Sequence, residues 1–316
     1  MKYKHFGNLL QELRLKYNMS REMLAQNICT SKQIYRIEMG YSEPSIYLLH
    51  QLSIKFNLDL NEYYKMYFTS NTIVGLDGIN AINAAIETHN NTLLKSEIDK
   101  YEKLEDFKHG ENLQHIYYGK ALCSALLDGD YNTSLEYCYK GLEIECPDFN
   151  IDNISETMYS NIGICILSCI SQNLFALDQY NAGIKVLTGI LTLFETFIID
   201  SPYPMFQATQ FSQKMYQIVL YNMGVHLFDH GELEESFLYI EKGISYSLKI
   251  FNMRKLPDLI FMKFRILYSL KKFEEAKEYY NHTLYLYKIT ENETALTELE
   301  SSSKADYPEL FEVEHT

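Results

Sequence analysis

The sequence predicts an all-α protein in two parts, a bundle of five short helices over residues 1–70 and a stack of repeated helix pairs over residues 71–316. Three observations carry this expectation. Only 6 Pro and 14 Gly punctuate the 316 residues, too few for a turn-rich β architecture. Apolar residues recur at spacings of three and four, the period of a helix with one buried face. The stretch Gly129–Tyr137 returns position by position at Gly231–Tyr239, 102 residues later, three times the roughly 34 residues of a two-helix repeat.

Bulk composition agrees. Hydrophobic residues make up 47% and charged residues 22% of the chain, the balance of a packed soluble protein. The apolar runs Ile162–Ser171 and Gly183–Ile199 are broken by polar residues before they reach the roughly 18 residues of a membrane span, so they read as buried helices with no membrane partner. Residues Met1–Phe6 lack the apolar core of a signal peptide, and a cytoplasmic location is expected. The 6 cysteines have no paired C-x-x-C spacing and read as reduced core thiols. Charge is divided unevenly. Residues 1–70 hold nine basic and six acidic side chains, net +3, whereas the remainder holds 19 and 36, net −17. A polyanion is repelled by the second part and tolerated only by the first.

The elements follow in order. Phe6, Leu9, Leu10, Leu13 and Tyr17 define a helix over 5–17. Ser20 is a natural N-cap for a short helix over 21–28. Thr30 and Gln33 have the form of a capping box for a third helix that runs to Met39 and stops at Gly40. Pro44-Ser45 opens a fourth, with Ile46, Leu49, Leu52 and Phe56 inward, and a fifth follows to about Phe68. Ile34 and Ile37 lie one turn apart and must face the core, so Ser31, Lys32, Tyr35 and Arg36 face away. A helix with that cationic outer face fits the major groove of duplex DNA.

Leu13-Arg14, Ser20–Ala25, Ser31–Gly40, Pro44-Ser45, Leu49, Leu52 and Asn57–Asp59 resemble the Xre/Cro-type helix-turn-helix repressors. That resemblance implies contact with double-stranded DNA through Arg21, Ser31, Lys32, Gln33, Tyr35 and Arg36. It also implies a buried ion pair between Arg14 and Glu38, and binding as a homodimer to a near-palindromic operator.

In the second part, Lys272–Tyr280 and, more loosely, Asp178–Gly183 repeat the pattern of Gly129–Tyr137. These read as second-helix starts of tetratricopeptide-like pairs, which stack into a right-handed superhelix with a concave inner face. Residues 72–108 supply one or two diverged pairs, and residues 291–316 are open between a capping helix and a frayed tail. Tyr159–Gly163 parallels Leu220–Gly224, with the glycine allowing the paired helix to approach. This puts Asn161 and Asn222 at equivalent first-helix positions, where an amide grips peptide backbone irrespective of sequence. Ser160, Ile164, Tyr221, Val225, Phe261 and Arg265 share that face by spacing, and the lining suits an apolar oligopeptide.

A helix-turn-helix followed by such repeats resembles the RRNPP family of peptide-pheromone-sensing transcription regulators (PlcR- and Rgg-like). The resemblance implies quorum sensing: a short signalling peptide in the groove, its backbone held by the paired asparagines, controls DNA binding. The alternative is a repeat scaffold that binds a protein partner. Catalysis is not expected, for no phosphate loop, G-x-S-x-G elbow or Cys/His nucleophile is present. No cofactor is expected either. His226 and His230 are spaced for a metal but lack a third ligand, so no metal is assigned.

Overall fold

The computed structural model describes residues 5–61, Tyr64, 73–196 and 209–311, and among them only helices and short 3-10 turns occur. The chain forms two compact units, Met1–Glu145 and Cys146–Thr316. The boundary expected near residue 70 lies outside the described residues.

The first unit opens with α1 (Phe6–Lys16), α2 (Arg21–Ala25), α3 (Ser31–Glu38) and α4 (Ile46–Phe56). Each cap read from the sequence is made. The side chains of Ser20, Thr30 and Ser45 accept backbone N–H groups from Met23, Gln33 and Leu48, each at 3.2 Å. Gly40, at φ 73°, closes α3 while the Tyr41 N–H reaches back to the Arg36 carbonyl at 2.8 Å. Leu10, Leu24, Ile34, Ile37, Leu52 and Phe56 make the core of this module. Backbones touch at its centre, for a Cβ on Gly7 would stand 1.8 Å from the Ile37 carbonyl oxygen. The expected fifth helix falls largely outside the described residues.

Helix pairs follow. In the first unit α5 (Ile73–Glu87) pairs with α6 (Asn91–Tyr101), and α7 (Gly110–Leu126) with α8 (Tyr131–Glu143). Their apolar cluster of Ile82, Leu94, Ile98, Phe107 and Ile116 is distinct from the core of the N-terminal module. The second unit holds α9 (Asn161–Ala176) with α10 (Tyr180–Phe194), α11 (Gln210–Asp229) with α12 (Leu233–Lys249), and α13 (Leu256–Ser269) with α14 (Phe273–Ile289). A last helix, α15 (Glu293–Asp306), buries Leu299, and the turn after it buries Leu310. Residues 293–311 therefore cap the repeats. Ile162–Ser171 lies within α9 and Gly183–Phe194 within α10, and no described helix is long and apolar enough to cross a membrane. All six cysteines are free, and Cys123, Cys138 and Cys169 are buried.

The repeated motif has a physical meaning. Ser134 and Ser236, both fully buried, donate their hydroxyls across the pair to the carbonyls of Ala121 (2.8 Å) and Gly224 (2.6 Å). A Cβ on Gly224 would press on Ile240 at 2.5 Å, so the glycine lets α11 and α12 close. Each second helix is preceded, two residues earlier, by a left-handed residue: His89, Gly129, Asp178, Gly231 and Lys271, with Glu291 before the capping helix. Only two of these are glycine. At Lys271 the exposed side chain makes no ion pair among the described residues, while its φ of 61° is costly for any residue with a Cβ. Lys271→Gly is expected to stabilise the protein by about 0.5–1 kcal/mol, read as a higher melting temperature by circular dichroism. A lower one would mean that the lysine contributes a contact outweighing its backbone strain.

Candidate nucleic-acid interface and ligand face

α3 presents the expected residues. Ile34 and Ile37 are buried, while Lys32, Gln33, Tyr35 and Arg36 are exposed and Ser31 is partly so. The helix is held from behind by Glu38, which is fully buried. Its carboxylate accepts from Arg14 Nε at 2.5 Å and Nη2 at 3.2 Å, and Arg14 also donates to the Met19 carbonyl at 2.9 Å. The Arg14–Glu38 pair implied by resemblance is thus present.

Arg21 departs from the expectation of a free DNA contact. Its Nε donates to the second oxygen of Glu38 at 2.6 Å, and its guanidinium lies 5.1 Å from the Tyr35 ring centre. About a third of the side chain remains exposed. One buried carboxylate therefore locks α1 to α3 and at the same time fixes a guanidinium beside the outer face of α3. Lys55, which spacing alone did not single out, donates to the carbonyls of Met23 (2.6 Å), Leu24 (3.1 Å) and Gln26 (3.2 Å). It caps the C-terminal end of α2, where unpaired carbonyls favour a cation.

The second set is brought together only in part. Tyr221, Val225 and Phe228 of α11 pack on one apolar cluster and Phe261 of α13 on a second, and Arg265 of α13 lies beside both Phe228 and Phe261. The Arg265 guanidinium lies 4.5 Å from the Phe228 ring centre and 5.9 Å from that of Phe261. Lys255 sits 4.2 Å above the Tyr221 ring and pairs with Asp258 at 2.6 Å. Burial pushes the Tyr221 phenol up to about 12, with Asp258 adding to the rise and Arg265 opposing it. Phe228, Lys255 and Asp258 were missed from sequence. Phe228 was within reach, being one turn from Val225, but nothing in the spacing marks Lys255.

Three of the sequence assignments are corrected. Ile164 is 7% exposed and belongs to the core. Ser160 is the N-cap of α9, accepting the Gly163 N–H at 3.1 Å. Asn161 is exposed as the first residue of α9, whereas Asn222 is half-buried near the C-terminal end of α11. Aligned on Tyr180 and Leu233, where α10 and α12 begin, Asn222 falls in register with Cys169. The two asparagines are therefore not equivalent, because the short segment Tyr159–Gly163 imitates a first-helix core at a helix start. Asn222 stays a candidate on its own, one turn from Val225, with no hydrogen-bond partner among the described residues.

His226 and His230 pack on rings of the preceding helix pair, and His230 stays exposed. His226 stacks on Phe175 at 3.5 Å between ring centres and His230 on Tyr180 at 3.8 Å. His226 also bonds Gln172 at 3.2 Å, so the pair ties α11 to the preceding helices. Among the described residues no cluster could hold a metal ion.

Residues 10–63 match the helix-turn-helix family, and no curated protein sequence matches the chain. Among solved structures, PlcR of Bacillus thuringiensis in complex with the peptide PapR7 and DNA is similar over 93% of this chain and 99% of its own, with TM-score 0.72 at 18% identity. The Streptococcus dysgalactiae SHP pheromone receptor Rgg2 is similar over 96% and 100%, with TM-score 0.61 at 15% identity. ComR from S. thermophilus, in complex with DNA and its signalling peptide ComS, is similar over 95% and 99%, with TM-score 0.57 at 17% identity. The N-terminal module is a helix-turn-helix, and the chain as a whole has the fold of the PlcR and Rgg peptide-pheromone regulators.

Proposed function

We propose that the protein is a cytoplasmic transcription regulator that binds a near-palindromic operator as a homodimer and is switched by a short signalling peptide. Residues 1–70 read the DNA, through Lys32, Gln33, Tyr35 and Arg36 on α3 with Arg21 held beside them. Residues 71–316 bind the peptide and the second copy, the peptide lying on the α11–α13 face at Tyr221, Asn222, Val225, Phe261 and Arg265. The observation that supports this best is the exposed cationic outer face of α3 on a module of net charge +3, joined to a remainder of net charge −17. Similarity in fold to receptors solved with DNA and peptide supports both partners. Peptide binding would change the spacing of two DNA-binding heads and so alter operator affinity.

Asn222 gives the first test. Its amide is half-buried with no hydrogen-bond partner among the described residues, so a peptide backbone would satisfy it. Asn222→Ala is expected to weaken peptide affinity by about 1–3 kcal/mol in isothermal titration with a peptide recovered from the native host. An unchanged dissociation constant would remove Asn222 from the site. Recovery of a protein in place of oligopeptides would favour the scaffold reading.

A further inference from the structure

Arg265 is set on the α11–α13 face in a way that identifies part of its ligand. The residues after 70 hold 36 acidic side chains against 19 basic ones, yet among the described residues no carboxylate lies within ion-pair distance of Arg265. Of the acids whose charge is felt at the neighbouring Tyr221 and Tyr307, Asp258 is paired with Lys255, and Asp229 and Asp306 make no ion pair with Arg265 among the described residues. Two ring faces, Phe228 and Phe261, fix the guanidinium plane. Among the described residues the guanidinium makes a weak contact from Nη1 to the Met262 sulfur at 3.5 Å. A guanidinium carries five N–H donors in one plane, and a half-buried one without an acid keeps an unspent preference for an anion.

The C-terminal cap contributes to the same place. Tyr307 packs edge-on against Phe264 and Tyr268, with ring centres 4.6 and 4.9 Å away. Burial raises its phenol above the ordinary value, the charge of Arg265 holds that rise back and Asp306 adds to it. The segment whose role was open in the sequence thus comes near the guanidinium.

We infer that Arg265, positioned by Phe228, Phe261 and Tyr307, is a carboxylate-binding subsite, so that the ligand of this face is an apolar peptide presenting a carboxylate at the α13 end. This rests on the peptide reading of the same face. The carboxylate is either the free C-terminus of the peptide or an aspartate or glutamate side chain within it.

The test passes a pool of synthetic heptapeptides over the immobilised full-length protein and identifies those retained by mass spectrometry. The pool is randomised over apolar, aromatic and acidic residues and is made both as free acids and as C-terminal amides. Retention of free acids with loss of their amides supports the inference and assigns the α-carboxylate. Retention of both forms, with an acidic residue enriched at one position, supports it and assigns a side chain. In either case Arg265→Gln is expected to lower affinity for the retained peptides at least about thirtyfold, with Arg265→Lys intermediate and Tyr307→Phe weaker in effect. Circular dichroism melts matching the wild type show that these variants fold. Retention of neutral amides, equal in the wild type and Arg265→Gln, would overturn the subsite and leave the peptide reading standing. Retention of no peptide by the wild type would overturn both.

Discussion

Replacing Lys32 and Arg36 together by alanine is expected to abolish sequence-specific DNA binding while leaving the melting curve unchanged. Both side chains are exposed on α3, and neither joins the core of Leu10, Ile34, Ile37 and Leu52 that holds the module, so their loss costs the fold little. Each bidentate contact to a guanine edge is worth about 1–3 kcal/mol of discrimination. Two such contacts amount to a loss of about thirtyfold to ten-thousandfold. The measurement uses duplexes enriched by the wild-type protein from a randomised pool, titrated at several salt concentrations. If the two residues read bases, the variant loses preference for the enriched sequence and keeps most of its binding to random DNA. If they grip phosphates, affinity falls on all sequences alike and the salt slope drops by about one per residue. Unaltered affinity for the enriched duplex would remove α3 as the reading helix.

The N-terminal module was legible because its signals are local. A cap is a property of four consecutive residues, and Ser20, Thr30 and Ser45 sit where capping chemistry requires them. The apolar pair Ile34 and Ile37 fixes which side of α3 is outward with no tertiary information. The repeats were clearest where glycine marked the turn. Gly129 and Gly231 revealed two second-helix starts and the side-chain pattern of Lys272–Tyr280 and, more loosely, Asp178–Gly183 gave two more, whereas the same left-handed turn at His89 and Glu291 is occupied by residues that do not announce it. Asn161 shows the opposite error. Its neighbours Ile162 and Gly163 copy Met223 and Gly224 beside Asn222, but the resemblance spans five residues, and a helix start capped by Ser160 produces it as readily as a repeat does. Groove residues supplied by distant segments were out of reach, since Lys255 and Tyr307 come near Tyr221 and Arg265 only through packing that no spacing encodes.

Glu38→Ala is expected to have the largest effect on stability of any single substitution in the N-terminal module. Glu38 is fully buried, and Arg14, 7% exposed, depends on it. Removing the carboxylate leaves a guanidinium in a low-dielectric site with only the Met19 carbonyl for company, which costs about 3–5 kcal/mol. That is a large share of the roughly 5–15 kcal/mol available to a whole domain. Amide hydrogen exchange over Phe6–Lys16 and Ser31–Glu38 should accelerate sharply, with the α11–α14 segments unchanged. Protection within about 1 kcal/mol of the wild type would mean that Arg14 is solvated in place. A second variant separates stability from function. Changing Arg14 and Glu38 both to methionine removes the two buried charges together and should restore much of the lost protection, because no ion is left uncompensated. It cannot restore Arg21, whose guanidinium is held at 2.6 Å by the same carboxylate. The double variant is therefore expected to fold and still bind its enriched duplex more weakly than the wild type. If it binds equally well, Glu38 serves the fold alone and the placement of Arg21 owes nothing to it.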